Sequence, residues 1–448
     1  LIERASGEEL VRLRERLEAL QPEAVSINLL FSFLCPEEER RIAAALGERW
    51  FVSLSSEVLP ELREYERGIA TWLNSSVGPV IGRYLRRMGK RLPQTAISVM
   101  QSSGTTIAAE QAARHAARLL LSGPAGGLAA ARLVGEVTGR KHLLTFDMGG
   151  TSTDVALLDG AIPLSHSSQV GGWPLMIASV DIHTIGAGGG SIARVDSGGL
   201  LNVGPESAGA NPGPACYGQG GRQATVTDAN LVLGRIPAQT LLGGYLPLDR
   251  DAADAAMDEL ARQLGCDRLE AARGVIRLAN EHMARALRVI SVERGHDPRQ
   301  YALLSFGGAG GLHACELAEL LGIPTVILPA RAGVLSAEGM LASEPGRDLS
   351  QAMPSLLAEL RHEAIRAAFA RLEESARAEL AEEGVDREQI RYRRQLELRY
   401  RGQSASVVLD FVEGTDASAN FHAAHEAACG HRLDQPVELV NLRLSARA

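Results

Sequence analysis

The sequence predicts an α/β protein of more than one domain, and three observations carry that expectation. Residues 143–158 read LLTFDMGGTSTDVALL, in which two apolar runs flank a turn of glycines and hydroxyls, the pattern of a buried hairpin. Residues 301–321 read as strand, glycine turn and helix, an order that sets a helix N-terminus at the end of a strand. At 448 residues the chain exceeds what one hydrophobic core holds, so two or three domains are expected.

From the N-terminus, residues 8–20 place Leu10, Leu13 and Leu17 at helical spacing among acids and arginines, a surface helix. Residues 25–34 form an apolar run fit for a buried strand. Pro36 then opens a helix whose first turn is Glu37, Glu38 and Glu39, where the helix dipole favours acids. Residues 74–92 read as a helix with arginines along one side, followed by a strand at 97–100, a loop at 101–105 and a helix at 107–120. SGPAGG at 122–127 leads into a small-residue helix at 128–137, whose alanines and glycines permit close helix approach.

Beyond the hairpin, residues 162–170 read as a third strand. Residues 186–221 are the most glycine-rich tract and cannot build a core, so they form a flexible loop or an ordered functional one. Residues 251–265 and 269–294 are amphipathic helices, the second with its stripe at Ile276, Ala279, Met283 and Ile290. Buried strands are expected at 301–305 and 325–328, with a helix at 312–321 and a second small-residue helix at 332–341. Pro345 and Pro354 bracket a linker. A charged helix to residue 383, strands at 390–400, 407–412 and 437–444, and a helix near 421–428 complete the chain. The expected regions are 1–121, 122–344 and a small C-terminal α/β domain at 345–448.

Composition narrows the function classes. A hydrophobic content of 45% with 22% charged residues is ordinary for a globular protein. The net charge is −8, and the 46 basic residues are interspersed with 54 acids, so no nucleic-acid partner is expected. Five cysteines, Cys35, Cys216, Cys266, Cys315 and Cys429, are scattered without a C-x-x-C pair, which fits a reducing cytoplasm. No apolar run approaches the roughly 20 residues that span a bilayer and no leader opens the chain, so a cytoplasmic protein is expected.

The hairpin carries the clearest chemistry. Gly149 and Gly150 let backbone N–H groups approach a ligand, Thr151, Ser152 and Thr153 add hydroxyl donors, and such a concave run suits a phosphate. Asp147 and Asp154, at the two strand ends, could hold a hydrated divalent cation, since Mg²⁺ prefers carboxylates and water. In Asp181-Ile182-His183 a strand would put acid and imidazole on one face, which suits a metal or a substrate amide; a hydrogen-bonded pair is the structural alternative. Cys216 has no base near it in sequence and reads as a turn residue. His313, in a first helical turn, is expected neutral and held by packing.

D-x-G-G-T-x-T-D resembles the phosphate hairpin of the actin-like ATPase superfamily, and in wording it is most similar to the hydantoinase A and 5-oxoprolinase family. LLSGPAGG at 120–127, DIHTIGAGGGSIARVD at 181–196, NPGPACYG at 211–218, TVTDANLVLGR at 225–235 and SFGGAGGLHA at 305–314 extend the resemblance over most of the chain. It implies actin-like, ribonuclease H-like lobes joined by crossed small-residue helices. It implies ATP and Mg²⁺ as cofactors, with Asp147 holding the metal through water and Asp154 orienting the attacking group. Gly149 to Thr153 would bind phosphate, and Gly307, Gly308, Ala309, Gly310 and Gly311 would seat the adenine nucleoside. A second divalent metal at Asp181 and His183 is the further metal expectation.

The activity so implied is phosphorylation of a cyclic amide or imide, such as a hydantoin or 5-oxoproline, for ring opening, together with a hydantoinase B-type subunit. An ATP-dependent carboxylase subunit, a nucleotide-switch ATPase and a sugar kinase are the alternatives. Family members carry an earlier hairpin of the same type and none precedes Asp147, so an N-terminally truncated, inactive chain is expected.

Overall fold

Residues 142–159 fold as the hairpin their sequence predicts. In the computed structural model, which describes residues 4–448, His142–Met148 and Thr153–Asp159 pair antiparallel. Ala302–Phe306 lies parallel beside the first of these strands and Val326–Ile327 parallel beyond it. His183–Ile185 adds to the other side, antiparallel to the second hairpin strand, so that in chain order the five strands lie 3-2-1-4-5. Leu143, Leu144 and Phe146 are fully buried, as an apolar run becomes when both faces of a sheet are covered. The helix Arg268–Ile290 sets Ile276, Ala279, Met283 and Ile290 into the same core, together with Met257 and Leu260 of Arg250–Leu264. Burying each large side chain of this kind contributes about 1.5–3 kcal/mol.

This sheet belongs to a compact unit of Gly126–Pro163 and Val180–Ala342. Two small-residue helices meet within it. A Cβ at Gly126 would stand 2.7 Å from the Ser336 carbonyl, and one at Gly127 would stand 2.8 Å from the Phe306 ring. The helix Ser122–Thr138 starts earlier than expected, so SGPAGG lies inside it rather than before it. Residues 162–170 do not supply the sheet's third strand. Ser168–Val170 instead turns back on Trp173–Leu175 through Gly171 and Gly172, both at positive φ, and belongs to the other unit.

That second unit gathers the chain up to Ala125, Leu164–Ser179 and Ser343–Ala448. Ala24–Ile27 pairs parallel with Phe51–Leu54, and the expected strand stops short at Ile27. Leu29 donates its N–H to the buried Glu39 carboxylate at 2.9 Å, and Phe31 adopts φ 60, neither of which continues a ladder. The helix expected from residue 74 runs from Glu64 to Arg91. Its first turns carry Glu64, Glu66 and Arg67, which give no apolar stripe, yet Arg67 is fully buried, donating to the carbonyls of Glu61 at 2.8 Å and Leu29 at 3.1 Å. The helix expected from 107 is preceded by the strand Thr106–Ala108 and is only Ala109–Arg114.

The segment expected as a linker after Pro345 is the strand Gly346–Leu356 of a four-stranded antiparallel sheet with Val437–Arg447, Arg391–Tyr400 and Val407–Asp410. Its register shifts between Ala352 and Ser355, and that irregularity accommodates Pro354, which has no N–H to give. Arg443 is buried between Glu61 and Glu397, at 2.9 Å and 2.5 Å. No helix among the described residues is long and apolar enough to cross a membrane.

Candidate functional site

At the hairpin turn, Asp147 and Asp154 are direct cross-strand partners, a relation that puts both carboxylates on one face with Cβ atoms about 5 Å apart. Burial pushes the Asp147 carboxyl up to about 6, and the charge of Asp154 adds to the shift. Burial likewise raises Asp154, while the Thr184 hydroxyl, donating to its Oδ1 at 2.5 Å, pulls the other way. Two half-buried acids that repel each other form a site that a cation would relieve. Thr184 escaped the sequence reading because only the pairing of His183–Ile185 with the hairpin puts it opposite Asp154.

The turn itself is cradled by backbone. Gly189 and Gly190 donate their N–H groups to the carbonyls of Gly149 at 3.0 Å and Gly150 at 2.7 Å. A Cβ at Gly188 would stand 2.6 Å from the carbonyl carbon of Gly150 and 2.7 Å from the nitrogen of Thr151, so only glycine permits this approach. Thr227 clamps the tract from behind, its N–H and hydroxyl both 2.8 Å from the Gly189 carbonyl. The glycine-rich tract is therefore ordered, and it continues as the hairpin Ser191–Val195 with Leu201–Ser207.

Thr153 has a role within this scaffold: it is fully buried, and its hydroxyl donates to the Ala187 carbonyl at 2.6 Å. Gly150 and Thr151 are exposed, and Thr151 has no hydrogen-bond partner among the described residues.

Residues 307–311 approach from the parallel strand. Ala309 donates its N–H to the Met148 carbonyl at 3.0 Å, and Gly307 turns at φ 81, where a Cβ would overlap the Asp147 carboxylate. Gly310 is buried, its Cβ position 2.7 Å from the Ser305 hydroxyl, while Gly308 and Gly311 are exposed. Arg235, which donates to the Leu312 carbonyl at 3.4 Å, lines a cleft of about 450 Å³ with Arg273, Arg277, Asn280, Glu281 and Glu316. His313 is held between two amides, with Nδ1 2.6 Å from Asn280 Oδ1 and Nε2 3.4 Å from Asn230 Nδ2. Burial and the charge of Arg235 lower it to about 4, so it is neutral.

Asp181 and His183 are not on one strand, since Asp181 precedes His183–Ile185. Arg294 grips the Asp181 carboxylate at 2.5 Å and 3.3 Å, in place of the expected metal or imidazole. Among the described residues no group of three or more His, Cys, Asp or Glu is placed to hold a metal. Cys216 is buried, and burial together with the charge of Asp228 raises its thiol pKa, which leaves it inert. Asp228, itself fully buried, accepts from the N–H groups of Cys216 at 2.8 Å and Thr225 at 2.9 Å, pinning that turn to the following helix.

Residues 67–348 match the hydantoinase/oxoprolinase family. The chain is 37% identical to the caprolactamase subunit alpha of Pseudomonas jessenii, over 96% of this chain and 64% of that one. The crystal structure of the ATP-dependent caprolactamase superposes at TM-score 0.86 with 35% identity, covering 98% of this chain and 67% of that one. A nucleotide-free acetone carboxylase superposes at 0.75 with 26% identity, covering 98% and 66%. The 5-oxoprolinase 1 of Arabidopsis thaliana is 34% identical over 92% of this chain and 34% of its own. The chain thus spans about two thirds of the caprolactamase subunit and one third of the oxoprolinase.

Proposed function

The chain belongs to the hydantoinase/oxoprolinase family, and from that premise we propose that it is the nucleotide-handling part of an ATP-dependent enzyme that opens a small cyclic amide. The observation that carries this reading is the Asp147–Asp154 pair beside a turn whose Gly149 and Gly150 carbonyls are tied to the glycine tract at 186–191. The sheet order supports the actin-like, ribonuclease H-like lobe that the resemblance implies.

The residues present fit a hydrated cation, because the mutual repulsion of two half-buried acids falls when a positive charge lies between them. Asp147 would hold it and Asp154, oriented by Thr184, would sit ready to position the attacking group or accept its proton. Gly150 and Thr151 would give N–H and hydroxyl donors to phosphate oxygens without rearrangement, the condition for electrostatic stabilisation. Arg273 and Arg277, one helical turn apart, would flank the purine in the cleft they line, and the exposed Gly308 and Gly311 would face the nucleoside. When bound, ATP supplies the phosphoryl group that activates the amide oxygen, and Mg²⁺ neutralises phosphate charge. Asp181, paired with Arg294, is left out of this assignment.

A B-type subunit or fused half is the proposed partner for hydrolysing the activated amide, in keeping with a relative named as a subunit alpha. A second reading, an ATP-dependent carboxylase subunit, is favoured by the likeness to acetone carboxylase. Phosphate release from ATP by the complete protein with its partner, challenged with lactams, 5-oxoproline, hydantoin and ketones with bicarbonate, separates the two. Stimulation by a cyclic amide is expected; stimulation by ketone and bicarbonate alone would replace the amidohydrolase by the carboxylase.

A further inference from the structure

His313 is fully buried, and the function proposed above does not use it. It ends the glycine turn, its N–H on the Gly310 carbonyl at 3.1 Å, where the helix Ala314–Leu321 begins. A closed ring of hydrogen bonds runs through its imidazole. Arg235 donates from its guanidinium to Glu316 Oε1, and Asn280 Nδ2 donates to Glu316 Oε2. Asn280 Oδ1 is 2.6 Å from His313 Nδ1, and His313 Nε2 is 3.4 Å from Asn230 Nδ2. The ring closes where the Asn230 carbonyl accepts the Arg235 backbone N–H at 2.9 Å. Arg235, Asn280 and Glu316 also line the cleft given to the purine above, so one side of the ring is cleft wall and the other is His313.

The direction of the ring is determined at its acidic end. A carboxylate paired with a guanidinium has no proton to give, so Asn280 turns its NH2 to Glu316 and its carbonyl oxygen to the imidazole. His313 must then carry a proton on Nδ1. Burial and the charge of Arg235 lower its pKa to about 4, so the ring holds a single proton and Nε2 accepts. Asn230 Nδ2 serves that acceptor and also donates to the Val226 carbonyl at 3.1 Å. The Asn230 side-chain oxygen is left buried without a partner. Turning that amide over would set its oxygen against both acceptors, which is worse. Apolar groups of the same shape would fill this space with no orphaned oxygen, so what the ring adds is orientation rather than stability.

We propose that His313 is a positioning residue for the cleft: through its Nδ1–H it fixes the Asn280 amide, and through Asn280 it holds Glu316 and Arg235 in the orientation in which a nucleoside meets them. This role rests on the assignment of the cleft to the purine nucleoside in the function proposed above. Without that N–H the Asn280 amide is free to turn, and Glu316 loses its second donor.

Calorimetric titration of the complete protein with ATP and with inorganic tripolyphosphate, both with Mg²⁺, tests it, because tripolyphosphate has no nucleoside to place in the cleft. The unaltered protein should bind ATP at least about tenfold more tightly than tripolyphosphate. His313→Leu should weaken ATP binding at least about tenfold and leave tripolyphosphate within about twofold. His313→Asn, whose side-chain NH2 reaches the place of Nδ1–H, should recover most of the ATP affinity. Asn280→Ser breaks the same ring and carries the same expectation should His313→Leu not fold. Nitrogen-15 spectra of histidine-labelled protein should place the His313 proton on Nδ1. Unchanged ATP affinity in the folded variants, equal loss for both probes, no recovery in His313→Asn, or a proton on Nε2 would overturn the positioning role. Arg277→Met, outside the ring, separates that failure from failure of the cleft assignment. If it weakens ATP binding where His313→Leu does not, only the role of His313 falls. If the complete protein binds no ATP, or Arg277→Met leaves ATP affinity untouched, the cleft takes no nucleoside and both fall together.

Discussion

Thr184 donates its hydroxyl to Asp154 Oδ1 at 2.5 Å, across a ladder in which the two residues are direct partners. That bond favours the ionised carboxylate and opposes the rise that burial causes. Thr184→Val should therefore raise the Asp154 pKa and move the acid limb of ATP turnover to higher pH, at a stability cost of about 0.5–1.5 kcal/mol. A pH–rate profile checks this; an unmoved limb would separate Asp154 from the chemistry.

The raised Asp147 carboxyl makes stability depend on pH in a definite direction. Its folded value, about 6, lies above its ordinary value of 3.8, so the folded chain binds the proton more tightly than the unfolded one. Stability from this group is present below about pH 4 and is lost as pH rises through about 6. Asp147→Asn should then stabilise the metal-free protein by about 1–2 kcal/mol at pH 7.5, allowing for partial exposure, and by almost nothing at pH 3.5. The same variant should abolish ATP turnover. Thermal melts with and without Mg²⁺ and a phosphate-release assay read both effects.

Gly188→Ala should be severe for its size. A Cβ 2.6 Å from the Gly150 backbone forces the glycine tract off the hairpin, destabilising by about 1–3 kcal/mol and weakening nucleotide binding. Gly89→Ala, in the helix Glu64–Arg91 with nothing near its Cβ position, should instead stabilise by about 0.5 kcal/mol. Denaturant melts of the two variants compare a glycine needed for close approach with one that is not.

Arg443→Met should cost about 3–5 kcal/mol, because it leaves Glu61 and Glu397 buried without their cation. Adding Glu61→Gln and Glu397→Gln should recover much of that loss. A double-mutant cycle on denaturant midpoints would show whether the three act as one network.

The sequence by itself determined the hairpin at 143–158, its paired acids, the amphipathic helix carrying Ile276 and Met283, and the strand–glycine–helix order at 301–321. Those features were legible because they are local: periodicity, turn chemistry and strand-end acids are written within about twenty residues of each other. Family wording made the rest of the site nameable, but not its geometry. Only the tertiary structure decided that the glycine tract at 186–191 lies backbone on backbone against Gly149 and Gly150, that Thr184 meets Asp154, and that Asp181 turns to Arg294. It also decided that the segment after Pro345 is a sheet strand and that His313 lies between Asn230 and Asn280. These are contacts between residues far apart in sequence, fixed by strand register and by the need to partner or bury polar groups. A one-residue change of register would have put Asp154 opposite a different side chain, and no local pattern records that choice.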